Sequence, residues 1–265
     1  MLNDTFNLLM LFPVFLSGLI LGSFVTSTVN RIISQVNGLT GKIPADELQK
    51  SMIRELCRPL TSPIHLFNLW NMKGNRIDFR NTVSEIFLGV MTTVLFMKLG
   101  FTVIFFLYTI LFMGLIAIFR IDQEMMVIPD LISIPLLVTG LVASLLGYVP
   151  GISWMDSLFG ILLGAIILYA PAKIFEYARG TAGLGGGDVK FLAMIGAWVS
   201  MKGVLFTLFV AALTGFVFSL YPIFSKGSDA GEPIPFGPYL ASAAMLYILI
   251  GADLVEKLAR FKLHF

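Results

Sequence analysis

The 265-residue chain is 57% hydrophobic and only 13% charged, with a mean hydropathy of +0.89. A soluble domain of this length cannot bury so many apolar side chains, so the composition indicates an integral membrane protein. The formal net charge of +2 gives no indication of nucleic-acid binding. The single cysteine, Cys57, excludes an internal disulfide and a zinc site made only of cysteines.

The apolar stretches are continuous rather than alternating, which predicts membrane helices and argues against a β-barrel. From the length needed to cross the hydrocarbon, we predict an all-α, polytopic fold of about eight segments. In chain order these segments are Leu8–Val29, Val83–Leu99, Phe101–Arg120, Leu131–Tyr148, Leu158–Ala178, Val189–Ser200, Val204–Ile223 and Tyr239–Leu254.

The polar stretch from Asn30 to Thr82 is too polar to cross a membrane and too short for a large core, which predicts a small cytosolic domain. The expected organisation is a first helix over 1–29, this domain over 30–82 and a membrane domain over 83–265. The stretch contains eight Lys and Arg residues, so the positive-inside rule places it in the cytosol.

Alternation of the segments then places Asp122 and Asp188 on the same, cytosolic side of the membrane. Counting eight crossings also leaves Lys257, Arg260 and Lys262 outside, against the positive-inside rule. The final segment is therefore re-entrant or miscounted, or the rule fails for this tail.

Asp122 and Asp188 are the two acids that point to chemistry. Asp188 follows three glycines at the start of an apolar segment, and Asp122 lies at the end of another. An ionisable group in such a place is costly, and its default interpretation is functional. About a dozen residues separate Asp188 from Lys202, roughly 20 Å of helix, so Asp188 is expected below the membrane surface.

Two carboxyl groups within reach of one another cannot both ionise at low cost, so one keeps its proton. The ionised partner can take a proton from a water molecule that attacks a peptide carbonyl. The protonated partner can polarise that carbonyl and later protonate the leaving amine. The two aspartates therefore predict proton chemistry that requires no metal, serine or cysteine.

The residues around this pair receive supporting roles. Asp130, after Ile128 and Pro129, is expected to cap the fourth segment and to shape the turn before it. Three roles stay open for Lys190: a counter-charge for Asp188, contact with lipid headgroups, or a part in catalysis.

Four stretches in order resemble the type IV prepilin peptidases, the GxGD aspartic membrane proteases. Ile121-Asp122 with Ile128-Pro129-Asp130 is similar to their first signature, and Leu184 to Lys190, with Gly185, Gly187 and Asp188, to their second. Gly18 to Phe24, followed by Asn30-Arg31, resembles their first membrane segment, and Pro233 to Pro238 resembles their final one. Glu85 stands where the family has a glutamate.

This resemblance implies an aspartic endopeptidase of the bacterial inner membrane with its site toward the cytosol. Asp122 and Asp188 match the catalytic pair, and the implied substrates are prepilins of type IV pili or pseudopilins of type II secretion. Relatives often methylate the new N-terminus with S-adenosylmethionine. Many also have two CxxC pairs that bind zinc, whereas Cys57 stands alone here, so zinc is not expected and methylation stays open.

Two other classes of protein stay open. Acids on broken membrane segments also occur in ion-coupled transporters, although no inverted repeat is evident and these acids share one side. A non-catalytic assembly scaffold for a pilus machine is the other alternative.

Overall fold

The computed structural model describes residues 2–37, 79–179, 185–226 and 235–251, and all regular structure within them is helical. The all-α class predicted from the sequence is confirmed. The helices are α1 (Leu2–Asn37), α2 (Phe79–Leu99), α3 (Val103–Met125), α4 (Asp130–Leu145), α5 (Trp154–Arg179), α6 (Gly186–Lys226) and α7 (Gly237–Leu246), the last followed by a π-helical turn, Tyr247–Gly251.

Within the described ranges, five helices (α1, α2, α3, α5 and α6) are long and apolar enough to cross a membrane. The apolar helix α4 and the α7 segment are shorter. Each of the eight predicted segments overlaps one of these helices, but the sixth and seventh both fall in α6. A polytopic membrane fold is therefore supported, and the count of eight crossings stays a prediction.

Several helix boundaries differ from the sequence-based ones, and three of them bear on the site residues or on the predicted cytosolic domain. Helix α1 continues to Asn37, and α3 continues to Met125, so that Asp122 lies inside a helix rather than after it. Helix α6 already begins at Gly186, which places Asp188 in its first turn. Most of the predicted cytosolic domain, residues 38–78 with Cys57, lies outside the described residues, as do Lys257, Arg260 and Lys262.

The chain divides into two compact units, Met1–Ala117 and Ile118–Phe265. In the first unit, α1 and α2 pack closely at glycines. A Cβ atom on Gly22 would lie 2.8 Å from the Cα of Glu85, and one on Gly18 would lie 2.8 Å from the Cα of Gly89. This close approach fits the helix-packing role that small residues have in membrane proteins.

Helix α6 forms the core of the second unit. Its first half is buried on nearly every side, with Phe191, Leu192, Met194 and Trp198 at most 1% exposed. A helix that is apolar all round is expected in such a central position. The Trp198 indole N–H donates to the Leu136 carbonyl at 2.9 Å, which ties α6 to α4.

Helices α5 and α6 meet along a row of small residues. A Cβ atom on Gly160 would lie 3.0 Å from the Gly196 carbonyl carbon, and one on Gly164 would lie 2.8 Å from the Leu192 carbonyl carbon. The Ser157 hydroxyl donates to the Ala197 carbonyl at 2.8 Å in the same interface. Backbone contact therefore fixes the axial position of α6 against α5.

The helix path of α6 is broken at Ser200, which has φ 62° and ψ −177°. The break divides α6 into an inner half that begins near Asp188 and an outer half that ends at Lys226. The predicted connection between the segments that end at Ser200 and begin at Val204 is thus a break at Ser200 within α6.

The α5–α6 contact predicts a large effect of adding one methyl group. In Gly196→Ala, the new Cβ would lie 3.0 Å from the Ile161 nitrogen, and backbone cannot move aside as a side chain can. We expect a loss of about 1–3 kcal/mol in unfolding free energy, measured by denaturant titration in mixed micelles. The control is Gly215→Ala, whose Cβ would have the Tyr239 ring, at 3.3 Å, as its nearest neighbour among the described residues. Equal stability of both variants would contradict backbone packing at Gly196.

Candidate active site

Asp122 is buried at the end of α3. It is 5% exposed, although it lies only three residues before the last residue of the helix, Met125. Burial of a carboxyl group without a hydrogen-bond donor would be strongly unfavourable. The surroundings of Asp122 must therefore supply a polar contact.

That contact comes from the first residue of α7. The Gly237 amide donates to Oδ2 of Asp122 at 2.8 Å, in a buried hydrogen bond. A Cβ atom on Gly237 would lie 2.7 Å from the same oxygen and 3.0 Å from Cγ, so a side chain at this position would collide with the carboxyl group. Glycine is therefore the residue that permits this approach.

Asp188 is half-buried in the first turn of α6. Its amide donates to the Gly185 carbonyl at 3.1 Å, which closes the turn that begins the helix. A Cβ atom on Gly185 would lie 3.2 Å from Oδ2 of Asp188, whereas one on Gly186 would meet nothing within 4 Å. Among the described residues, Gly185 thus lies against the Asp188 carboxyl group, whereas the space beside Gly186 is open.

The structure brings Asp122 and Asp188 together within the second unit. They are close enough for the charge of Asp122 to act on the Asp188 carboxyl group. The three helix ends that meet there are the end of α3 and the beginnings of α6 and α7. Two carboxyl groups that interact in this way do not ionise independently.

The turn between α3 and α4 holds the second part of the first signature. The Met126 amide donates to the Asp122 carbonyl at 2.8 Å, and Met126 has a φ of 54°, which is uncommon for a residue with a side chain. Buried Pro129 is the residue that caps α4, and Asp130 is its first residue. The cap expected at Asp130 is therefore wrong by one position.

Two contacts join this turn to the glycine-rich start of α6. A Cβ atom on Gly187 would lie 3.1 Å from the Cβ of Ile128, so the turn lies directly against the glycine. The Lys190 ammonium group forms an ion pair with Oδ2 of Asp130 at 2.6 Å. Lys190 therefore pairs with Asp130, whereas the partners considered from the sequence were Asp188 and lipid headgroups.

Glu85 lies on α2 in the first unit, where it is 6% exposed. A hydrogen bond joins its side chain to Ser23 of α1. All the other predicted site residues (Asp122, Pro129, Asp130, Gly185, Gly187, Asp188 and Lys190) lie in the second unit.

Gly237 is the site residue that sequence reasoning missed. Its stretch was noted, but nothing in the sequence joins it to Asp122, 115 positions earlier. A glycine followed directly by proline at the start of a helix was the available signal. For metals, no group of three or more His, Cys, Asp or Glu side chains is found among the residues that the structure describes.

Comparison with known proteins identifies similar sequences. A family profile described as Type IV leader peptidase family matches residues 109–220, which include both aspartates. A protein of Xanthomonas campestris pv. campestris, named prepilin leader peptidase/N-methyltransferase, is 33% identical over 77% of this chain and 70% of its own length. One of the same name from Aeromonas salmonicida is 30% identical over 92% of this chain and 91% of its own length. No solved structure gives a significant match.

The Lys190–Asp130 pair predicts a measurable but small coupling between α6 and α4. Because the two side chains are 52% and 32% exposed, solvent screens the pair, and we expect Lys190→Met to lower stability by at most about 1 kcal/mol. The measurement is a double-mutant cycle with Asp130→Asn in mixed micelles. The Lys173–Glu176 pair, similarly exposed but within α5, serves as the control. A coupling energy of zero for Lys190 and Asp130 would contradict the contact.

Proposed function

The chain belongs to the type IV leader peptidase family, and we propose that it is an aspartic endopeptidase that removes leader peptides from prepilins or pseudopilins. Asp122 and Asp188 are its proposed catalytic pair. The observation that carries this assignment is that two acids 66 positions apart lie close enough at converging helix ends for one charge to act on the other. Similar proteins named prepilin leader peptidase/N-methyltransferase support the substrate class.

Hydrolysis by this pair requires one shared proton. The ionised carboxylate takes a proton from water, whose oxygen then bonds to the peptide carbonyl carbon. The protonated carboxyl group stabilises the developing oxyanion by hydrogen bonding and then protonates the leaving nitrogen as the C–N bond breaks. The products are a carboxylic acid and an amine, and the proton of the pair has moved to the other aspartate.

The position of the pair suits a substrate that is partly embedded in the membrane. Asp122 lies in the last turn of one apolar helix and Asp188 in the first turn of another, so both lie near helix ends rather than at mid-helix. We propose that the apolar helix of a prepilin stays in the bilayer while its basic leader remains in the cytosol. The junction between them then reaches the aspartates. The proposed site lies on the cytosolic side of the bacterial inner membrane, the orientation that the distribution of Lys and Arg predicts.

Methylation of the new N-terminus is the second activity that the names of the relatives include. S-adenosylmethionine would be the methyl donor. We propose that residues 30–82 contribute to this activity, without a four-cysteine zinc site, because the sequence has one cysteine. Proteolysis by the aspartates requires neither S-adenosylmethionine nor zinc.

Substitution of either aspartate tests the peptidase assignment. Asp122→Asn or Asp188→Asn removes a proton acceptor or donor while keeping the side-chain volume, and we expect leader cleavage to fall at least about 1,000-fold. The assay is prepilin cleavage by enzyme in detergent, normalised to folded protein. Asp156→Asn is the matched control, since Asp156 accepts hydrogen bonds from Ser153 at the start of α5. Normal cleavage by either variant of the pair would exclude that aspartate from catalysis.

The methyltransferase proposal predicts a separable product. Mass spectrometry of a pilin incubated with enzyme and S-adenosylmethionine is expected to show a cleaved and methylated N-terminus. With Asp188→Asn and a pilin supplied already cleaved, methylation is expected to persist. A cleaved but never methylated N-terminus would restrict the chain to proteolysis.

A further inference from the structure

The first turn of α7 has an unusual distribution of amide donors. Tyr239 and Leu240 both donate to the Phe236 carbonyl, at 3.1 and 3.2 Å, and Pro238 has no N–H. Among the backbone amides of residues 237–240, the Gly237 amide is thus the one that donates to another helix, and its acceptor is Asp122. The start of a helix also favours negative charge, because its amide dipoles point their positive ends there.

We propose that Gly237 is a positioning residue that holds Asp122 in its ionised form as the general base, which leaves Asp188 as the proton donor. This assignment rests on the proposed peptidase function and adds the separate roles of the two acids. An amide N–H can only donate, and its bond to a carboxylate is strengthened by the negative charge.

The surroundings of Asp188 support the complementary role. Among the described residues, its side chain has no hydrogen bond, and the charge of Asp122 acts on it from close by. Lys190 lies in the next turn of α6 but pairs with Asp130. A carboxyl group beside a negative charge, without a donor or a cation of its own, is the better one to retain the shared proton.

The shape of the site makes this assignment specific to glycine. Gly237 and Pro238 are both buried, and a Cβ atom on Gly237 would lie 2.7 Å from Oδ2 of Asp122. A larger residue would push the carboxylate away from the amide. At this position a backbone N–H must approach the Asp122 carboxylate closely, and only a residue without a side chain leaves room for that.

An amide-to-ester replacement tests the hydrogen bond alone. Glycolic acid incorporated at position 237 exchanges the N–H for an oxygen atom and adds no bulk. The matched control is leucic acid at position 240, which removes the Leu240 N–H bond to Phe236 in the same helical turn. Both proteins are assayed for cleavage of a purified prepilin in detergent, together with the native chain.

We expect the ester at 237 to lower kcat about 10- to 100-fold, with KM changed by less than about threefold, because a bond to a charged group is lost. The ester at 240 is expected to retain nearly native kcat. Native kcat in the 237 ester, or an equal loss in both esters, would overturn the proposal.

The pH profile distinguishes a base from a merely well-placed acid. In the 237 ester, the acid-side limb of kcat/KM is expected to move to higher pH, because that limb reports ionisation of the base. Asp188 on α6 is the ionisable group that interacts with Asp122, and Arg120 and Glu124 on α3 each have interactions as well. The comparison with the native chain keeps all three constant. An unmoved acid-side limb would overturn the role of Asp122 as base.

If the ester proteins do not fold, the variants Gly237→Ala and Gly203→Ala are compared instead. Both add a Cβ at a crowded place, since one on Gly203 would lie 2.6 Å from Cε1 of Tyr247. The expected result is a loss of kcat per folded enzyme in Gly237→Ala only, and comparable kcat in both would overturn the proposal. If the native chain itself cleaves no prepilin, the proposed function fails, which is a different outcome from equal activity of native and ester proteins.

Discussion

A carboxylate withdrawn from water needs a donor, and the second unit is arranged around that requirement. Asp122 lies inside α3 and is almost fully buried, so its charge is supported only where protein groups replace water. The Gly237 amide supplies one such group by bringing the start of α7 directly against the carboxylate. The position of α7 and the absence of a side chain at 237 are both linked to this bond.

Backbone contacts at glycine, rather than interlocking side chains, assemble the site. Gly187 lies against Ile128, Gly237 against Asp122, and Gly160 against Gly196. At Gly237 and Gly160 the two chain segments lie closer than a Cβ atom allows, and at Gly187 a Cβ atom would fit only tightly, so their relative position has little freedom. The solvent-accessible Lys190–Asp130 ion pair joins α6 to α4 but adds little stability, because solvent screens the two charges. The acids are thereby held by stiff elements instead of loops.

Much of the fold and the two acids could be predicted from the sequence, because long apolar runs and charged residues within them have few physical interpretations in a membrane. Helix ends were harder, because Asp122 and Asp188 belong to helices whose polar last and first turns do not stand out by hydropathy. The pairing of Lys190 with Asp130 and of Gly237 with Asp122 could not be predicted, since each joins residues at least 60 positions apart. Only tertiary packing decides which partners such groups meet.

The break at Ser200 limits where residues can be inserted into this chain or deleted from it. From Gly186 to the break, α6 is held against α5 by Ser157, Gly160 and Gly164, while Asp188 sits at its opposite end. Each residue turns an α-helix by about 100°, so one residue inserted or deleted between 189 and 199 would swing the acid out of line with Asp122. Insertions and deletions are therefore expected to be excluded from this half-helix. Beyond the break, an added or removed residue in the outer half of α6 would no longer turn Asp188 about the helix axis.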